Sequence, residues 1–183
     1  KISHNNGVIY RLLPRTNEAV NQCWMCDEGR STYKPIQEGT RLRHPRILKD
    51  GRAQETRQSK AIEELKRILT GVAANTILGI GSAQFTNEDN GTFKKFLSEC
   101  LGVKDFAYHA REVANPSQDN FLISPDKNPN RAGVEALGMK PLSEERRYQV
   151  FFVLGSIPSG ALSKISFEKN RKVILFTTHE SPE

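Results

Sequence analysis

From residue 58 onward the sequence predicts an α/β protein built on a doubly wound, mostly parallel sheet. Short runs of Val, Ile, Leu and Phe read as strands buried on both faces. They alternate with helical patterns in the order helix, strand, helix, strand, loop, strand, helix, strand, the signature of strands joined by right-handed crossovers. At 183 residues the chain is long enough to bury a core of that kind.

The elements follow in order. Residues 7–13, Gly-Val-Ile-Tyr-Arg-Leu-Leu, read as a strand ended by Pro14 and a polar turn at Thr16-Asn17. From Asp27 to Asp50 the sequence is rich in Gly, Pro and Arg without periodicity, which predicts extended loop lying on other surfaces. Ala61, Ile62, Leu65, Ile68 and Leu69 recur at helical spacing, with Ser59 to cap the start and Gly71 at the left-handed position after the end. Thr76 to Gly81 is a short buried-strand pattern, and Thr86 with Asp89 forms a capping box that opens a second helix. The inward face of that helix is read as Phe93, Phe96, Leu97, Cys100 and Leu101, closed by Gly102. Asp105 to Tyr108 reads as a short strand, and residues 114–130, with Pro116, Pro125 and Pro129, as a long connection. A short helix from Arg131 to Leu137, a strand from Val150 to Leu154, a turn from Gly155 to Gly160, a helix from Ala161 to Glu168 and a strand from Val173 to Thr177 complete the pattern. Residues 1–56 stand outside it and read as the tail of a smaller preceding domain with an extended basic linker, leaving 57–183 as the α/β domain.

Composition narrows the function classes. Val150 to Leu154, at five residues, is the longest apolar run, against about 18 for a membrane-spanning helix, so direct membrane insertion is not expected. The chain opens at Lys1 with no Met or signal sequence and ends just after an apolar strand-like run, which suggests a segment of a longer protein. Net charge is +6, and residues 1–60 hold all of the excess, with 12 Lys/Arg against 6 Asp/Glu. A basic segment can meet nucleic acid, an anionic lipid face or an acidic partner. No aromatic residues interleave Arg41, Arg43, Arg46, Lys49, Arg52 and Arg57, so nucleic acid is the weaker alternative to a solvated face with partner contacts.

Three cysteines, Cys23, Cys26 and Cys100, do not make a disulfide framework, and their odd number fits a reducing compartment. Cys23 and Cys26 form one C-x-x-C with no second pair or nearby His to complete four ligands. Cys100 reads as a small core residue. In an open parallel sheet ligands bind beyond the carboxyl ends of the strands, which directs attention to the loop Gly79 to Asn87 and to Gly81, Ser82, Thr86 and Asn87 within it. Amides at a helix start can hold a phosphate. Here Gln84 stands where a dinucleotide fingerprint wants its third Gly, and Glu88 and Asp89 would repel a pyrophosphate, so the alternative is a plain strand-to-helix turn capped by Thr86. The four His lie in unrelated segments, no G-x-S-x-G elbow occurs, and Glu63-Glu64 and Glu144-Glu145 read as solvated surface. No self-sufficient catalytic constellation is present.

Asn17-Glu-Ala-Val-Asn-Gln-Cys-Trp-Met-Cys-Asp-Glu-Gly-Arg30, followed by Tyr33, resembles the fourth-cysteine segment of the iron-sulfur-binding domain in molybdopterin oxidoreductases. Within that superfamily it most resembles the large iron-sulfur subunit family of respiratory NADH:quinone oxidoreductase, complex I. The family order continues in Arg41-Leu42-Arg43-His44-Pro45 to Asp50-Gly51, the Ala61 to Leu69 helix, Thr86-Asn87-Glu88-Asp89-Asn90 and Asn128-Pro129-Asn130-Arg131-Ala132-Gly133, so the resemblance covers nearly the whole chain.

The resemblance implies a molybdopterin-oxidoreductase-like α/β domain preceded by the tail of a small iron-sulfur-binding domain. Cys26 matches the fourth ligand of a [4Fe-4S] cluster whose other three cysteines would precede Lys1; the alternative is a leftover thiol in a branch that has lost the cluster. No cofactor is therefore expected in the isolated chain, and iron-sulfur clusters only in the intact parent. Gly81, Ser82, Thr86 and Asn87 would be a vestigial pterin-side loop. Molybdopterin enzymes such as formate dehydrogenases usually carry Cys-x-Lys-Gly-Arg, whereas this chain has Glu28 at the Lys position, which favours the complex I branch. The parent would scaffold the electron path from NADH to quinone, among the other peripheral-arm subunits on the cytoplasmic face of a bacterial inner membrane. A genuine molybdopterin oxidoreductase and a basic nucleic-acid-binding module are the rival readings.

Overall fold

The computed structural model describes residues 1–37, 39, 41–120, 123–143, 148–156 and 171–179. Its contacts divide the chain into two compact units, Lys1–Arg41 with Val113–Lys127, and Leu42–Glu112 with Asn128–Glu183.

In the first unit, β1 (Ile2–Asn5) and β2 (Val8–Leu12) form an antiparallel hairpin. Its turn residues Asn6 and Gly7 both take positive φ, 49° and 78°, the mirror-image turn whose twist matches the strands it joins. The side chain of Gln37 pairs with both backbone groups of Ile9, accepting from its N–H at 2.6 Å and donating to its carbonyl at 3.1 Å. A short helix, α1 (Asp27–Ser31), follows Cys26. No described residue of this unit is buried, and Ile2, Tyr10, Val20, Trp24 and Ile36 are exposed.

The second unit opens with an antiparallel hairpin of β3 (Arg46–Lys49) and β4 (Arg52–Glu55), then α2 (Gln58–Leu69), β5 (Ile77–Ser82), α3 (Asn87–Leu101), β6 (Phe106–His109), α4 (Arg131–Ala136), β7 (Lys140–Pro141), β8 (Val150–Leu154) and β9 (Lys172–Phe176). The last five strands form one sheet in the order β7-β6-β5-β8-β9, every pair parallel. The chain winds outward from central β5 through β6 to β7, then crosses back to β8 and β9, which is the doubly wound α/β order. The expected adjacency of the Ile77, Val150 and Val173 strands is borne out, with Ile77 opposite Val150 and Phe151 opposite Val173.

Alternation along the buried strands sorts the core. Ile77, Val150, Phe152 and Leu154 face Phe93 and Leu97 of α3 and Leu65, Ile68 and Leu69 of α2. Leu78, Ile80, Ala107, Phe151 and Val153 face the opposite way, against Leu142 and Tyr148. The capping box of Thr86 and Asp89 is present, and Gly102 closes α3 at φ 69°.

Several expectations need correction. The stretch Asp27 to Asp50 is not all extended loop: it holds α1 and β3, and β3 turns into β4 through Asp50 and Gly51 at φ 50° and 76°. Ser59 does not cap α2, because Arg57 occupies that position and no side chain bonds the first turn. Phe96 and Cys100 are exposed, since the buried stripe of α3 runs through Asn90, Phe93 and Leu97 and leaves them on its shoulder. Strands β1 and β7 were not foreseen. The expected helix Ala161 to Glu168 and the Glu144-Glu145 pair lie outside the described residues.

Candidate functional site

The topological switch between β5 and β8 places the loop Ser82 to Thr86 where ligands bind in sheets of this class. That loop is held from below by Asn90, which is fully buried on the first turn of α3. Asn90 Oδ1 accepts from Ser82 N at 2.9 Å, and its Nδ2 donates to the carbonyls of Ser82, Phe85 and Thr86 at 3.0, 3.2 and 2.8 Å. The remaining loop amides are also committed. Ala83 N donates to His109 O, Gln84 N to Ser82 Oγ, Phe85 N to Ser82 O and Thr86 N to Asp89 Oδ2. Every N–H from Ser82 to Thr86 thus has an acceptor within the protein. Gly81 lies beneath: a Cβ there would sit 2.6 Å from both Asn90 Oδ1 and Met139 Sδ.

A second clamp comes from the Asn128 to Gly133 segment. Asn128, nearly buried, accepts from Gln84 Nε2 at 2.8 Å and from Arg111 N at 2.7 Å, and donates to Arg111 O at 3.0 Å. Asn130 donates through its backbone to Ala83 O and through Nδ2 to Phe85 O and Asn87 Oδ1. Gly133 is required by this arrangement, because a Cβ there would collide with the side-chain oxygens of Asn130 and Asn87. On the β8 side a Cβ on Gly155 would lie 2.7 Å from Phe85 Cε2, so the Phe85 ring occupies the space directly over that residue.

His109 ends β6 in register with Ser82 and is 4% exposed. Its Nε2 lies 2.9 Å from the carbonyl of Leu154, which can only accept, so Nε2 carries the proton and Nδ1 the lone pair. Among the described residues Nδ1 is buried without a hydrogen-bond partner. Burial lowers the His109 pKa from its ordinary value, outweighing the opposing effect of the Leu154 bond.

Cys26 precedes α1, and its Sγ, partly buried, accepts from Gly29 N at 3.3 Å. A backbone N–H on the sulfur suits a thiolate ligand, but a cluster needs four ligands, of which Cys26 could supply one. Among the described residues no group of three or more His, Cys, Asp or Glu is gathered around a common point. Glu28, two residues on, meets Lys127 Nζ at 3.4 Å, and that ammonium also reaches Ser117 Oγ. Cys23 is exposed. Of the surface carboxylates, Glu64 is held by Arg67, whose guanidinium lowers its pKa.

The structure therefore places Gly81 and Ser82 at the end of β5, Thr86 at the cap and Asn87 at the first position of α3, around one strand-to-helix turn, and keeps Cys26 in the other unit. The residues that organise this loop, Asn90, Asn128, Asn130 and His109, escaped the sequence reading as site residues. The available signal was the paired Asn of Thr86-Asn-Glu-Asp-Asn90 and of Asn128-Pro-Asn130, which carried the family resemblance but gave no hint of backbone clamping.

No protein-family model matches the chain. Among curated proteins it is 35% identical over 158 residues to the G subunit of NADH-quinone oxidoreductase from Rickettsia prowazekii, covering 85% of this chain and 22% of that protein. It is 31% identical over 106 residues to the alpha subunit of NADPH-Fe(3+) oxidoreductase from Geobacter sulfurreducens, 58% of this chain and 12% of that one. A third relative is the alpha subunit of F420-dependent formate dehydrogenase 1 from Methanococcus maripaludis, 26% identical over 106 residues, 58% of this chain and 16% of the relative. The chain spans less than a quarter of the length of each of these relatives. The resemblance read from its motifs is borne out: the chain is similar to the NADH-quinone oxidoreductase G subunit over most of its length and, more distantly, to a formate dehydrogenase subunit.

Proposed function

We propose, from the likeness to the G subunit of NADH-quinone oxidoreductase, that this chain is a segment of a protein of that kind, which scaffolds an electron-transfer arm between NADH and quinone. The observation that carries this reading is the similarity over most of the chain, joined to a switch-point loop whose amides are all spent on protein acceptors. A loop in that state supports a scaffold better than a cofactor cradle. Gly81, Ser82, Thr86 and Asn87 are then a vestigial pterin-side loop, and the segment itself performs no catalysis.

In the same reading residues 1–56 close an iron-sulfur-binding domain and lead through a basic linker, while 57–183 begin the molybdopterin-oxidoreductase-like domain. Cys26 is the fourth ligand of a [4Fe-4S] cluster, whose chemistry is the passage of single electrons, and its other ligands come from outside the described residues. The Gly29 N–H on Cys26 Sγ supports that role by stabilising negative charge on sulfur. Partners are the other subunits of the peripheral arm, and the location is the cytoplasmic face of a bacterial inner membrane.

The test is purification of the full-length protein from its own cells, with iron content, cluster absorption and pterin measured on the complex. Co-purification with the subunits of an NADH:quinone oxidoreductase, with iron and without pterin, is the expected result. Bound pterin in a formate-oxidising enzyme would overturn it in favour of the second reading, which the likeness to a formate dehydrogenase subunit keeps in play.

A further inference from the structure

The acidic start of α1 is balanced from two directions. Cys26 caps this helix, and Asp27 and Glu28 follow it directly, so two carboxylates come immediately after the residue read above as a cluster ligand. Asp27 meets Arg30 one turn on at 3.8 Å, with its own side chain fully exposed, a local surface pair of the kind that contributes little. Glu28 meets Lys127, 99 residues along the chain, at 3.4 Å.

The partners of this second pair differ sharply in exposure. Glu28 keeps 67% of its side chain in solvent, whereas Lys127 keeps 10%. The Lys127 ammonium also reaches Ser117 Oγ at 3.4 Å, and residues 113–127 belong to the same compact unit as α1. Sheltering a lysine to that degree costs free energy, which a pair with a mostly exposed carboxylate offsets only in part. A charge held out of water is also screened less, so its field reaches further. A tether between α1 and residues 113–127 would account for the contact, but not for the cation being the sheltered member.

An iron-sulfur cluster gains one negative charge with each electron it accepts, and its reduction potential follows the charge around it. Nearby carboxylates oppose reduction and nearby ammonium groups favour it. We propose that Lys127 sets the potential of the cluster to which Cys26 contributes: its ammonium, brought from the far segment, counters Glu28 and makes that cluster easier to reduce. The proposal rests on the assignment of Cys26 as a cluster ligand. Lys127 acts in it as a fixed positive charge and binds neither iron nor sulfur.

The experiment is a redox titration of the cluster, followed by electron paramagnetic resonance with mediator dyes, in the full-length protein within its purified complex. The signal that disappears in Cys26→Ser identifies the cluster to follow. Lys127→Met should lower its midpoint potential, Glu28→Gln should raise it, and the two changes together should return it toward the wild-type value. Lys127→Arg keeps the charge and should leave it unchanged. Each single neutralisation should alter the ratio of oxidised to reduced cluster at a fixed potential about two- to tenfold, as for a unit charge acting across roughly 10 Å at an effective dielectric of about 30–80. For a one-electron couple that is about 20–60 mV. Should Lys127→Met not assemble, the comparison of Glu28→Gln with the double variant isolates the same charge, and the double variant must have the lower potential. Potentials that do not move, or that move in the same direction in both single variants, would overturn the proposal and reduce the pair to a tether, while leaving Cys26 a ligand. A full-length protein in which no iron-sulfur signal depends on Cys26 is the distinct outcome that removes the ligand assignment as well.

Discussion

Asn90 holds Ser82 by both of its backbone groups, accepting from its N–H at 2.9 Å and donating to its carbonyl at 3.0 Å, so a helix side chain continues the hydrogen bonding of β5 where the strand ends. The same amide caps the carbonyls of Phe85 and Thr86, which fixes the whole strand-to-helix loop to α3. Replacing Asn90 with Ala leaves the buried Ser82 N–H without its acceptor, while the Ser82 carbonyl keeps the bond from Phe85 N. An orphaned buried N–H costs about 1–3 kcal/mol, so unfolding in urea should show a loss of about 2 kcal/mol. A loss under about 1 kcal/mol would mean that water replaces the amide at no cost and that the clamp is not what holds the loop.

The glycines of β5 lie under α3 and predict a second effect. At Gly79 a Cβ would sit 2.8 Å from Leu97 Cδ1 and from Phe106 Cδ1, inside contact distance of two packed side chains. Gly79→Ala should therefore destabilise by about 1–3 kcal/mol through overpacking, despite the gain in strand propensity. Gly91, on α3 with open space around it, is the control: Gly91→Ala should stabilise by roughly 0.5–1 kcal/mol, the ordinary helix preference. Equal effects at the two positions in a thermal melt would contradict the close approach of α3 to β5.

What the sequence made legible follows from how local each signal is. β5, β8 and β9 were readable because continuous apolar runs in a parallel sheet need no partner to be recognised. The Thr86 and Asp89 box spans one turn of backbone and was equally plain. The two hairpins carried Asn6-Gly7 and Asp50-Gly51, both strong turn signals; the apolar β2, Val-Ile-Tyr-Arg-Leu, was legible, but β1, Ile-Ser-His-Asn, and the β3 and β4 strands, Arg-Ile-Leu-Lys and Arg-Ala-Gln-Glu, showed no apolar period of two. Asn128 and His109 were not legible as site residues, since the fold brings their partners near from far along the chain, 45 residues away in the case of His109 and Leu154, and the local clamp of Asn90 on Ser82 depends on a turn whose conformation the sequence does not state. Cys100 misled because a thiol beside Leu97 and Leu101 reads as core, while the roughly 100° turn per residue carries it past the edge of the buried stripe.

Thiol reactivity separates the three cysteines. Cys23 and Cys100 are exposed, whereas Cys26 is partly buried with its sulfur bonded to Gly29 N. Titration of the native chain with a disulfide reagent should resolve two fast thiols and one slow one, and mass mapping should assign the slow one to Cys26. Cys26 among the fast pair would refute the capped geometry at α1. In urea all three should react alike.

His109 gives a pH dependence with a definite sign. Its folded pKa lies below the ordinary value near 6.5 because burial disfavours the imidazolium, and the second proton would land on Nδ1, which has no acceptor. In the unfolded chain the ring is solvated and titrates near 6.5, so below that pH the unfolded state binds the proton first. The contribution of His109 to stability is therefore complete above about pH 6.5 and declines as pH falls toward the folded pKa, where the ring of the native protein also protonates. His109→Gln keeps a donor in reach of the Leu154 carbonyl and cannot titrate. The difference in unfolding free energy between wild type and this variant, measured by urea titration from about pH 8 to about pH 5, should be flat above about pH 7 and shift against the wild type below it. A difference that stays constant across that range would show that His109 is solvated in the native state, and with it the buried, unpartnered Nδ1 at the end of β6 would have to be abandoned.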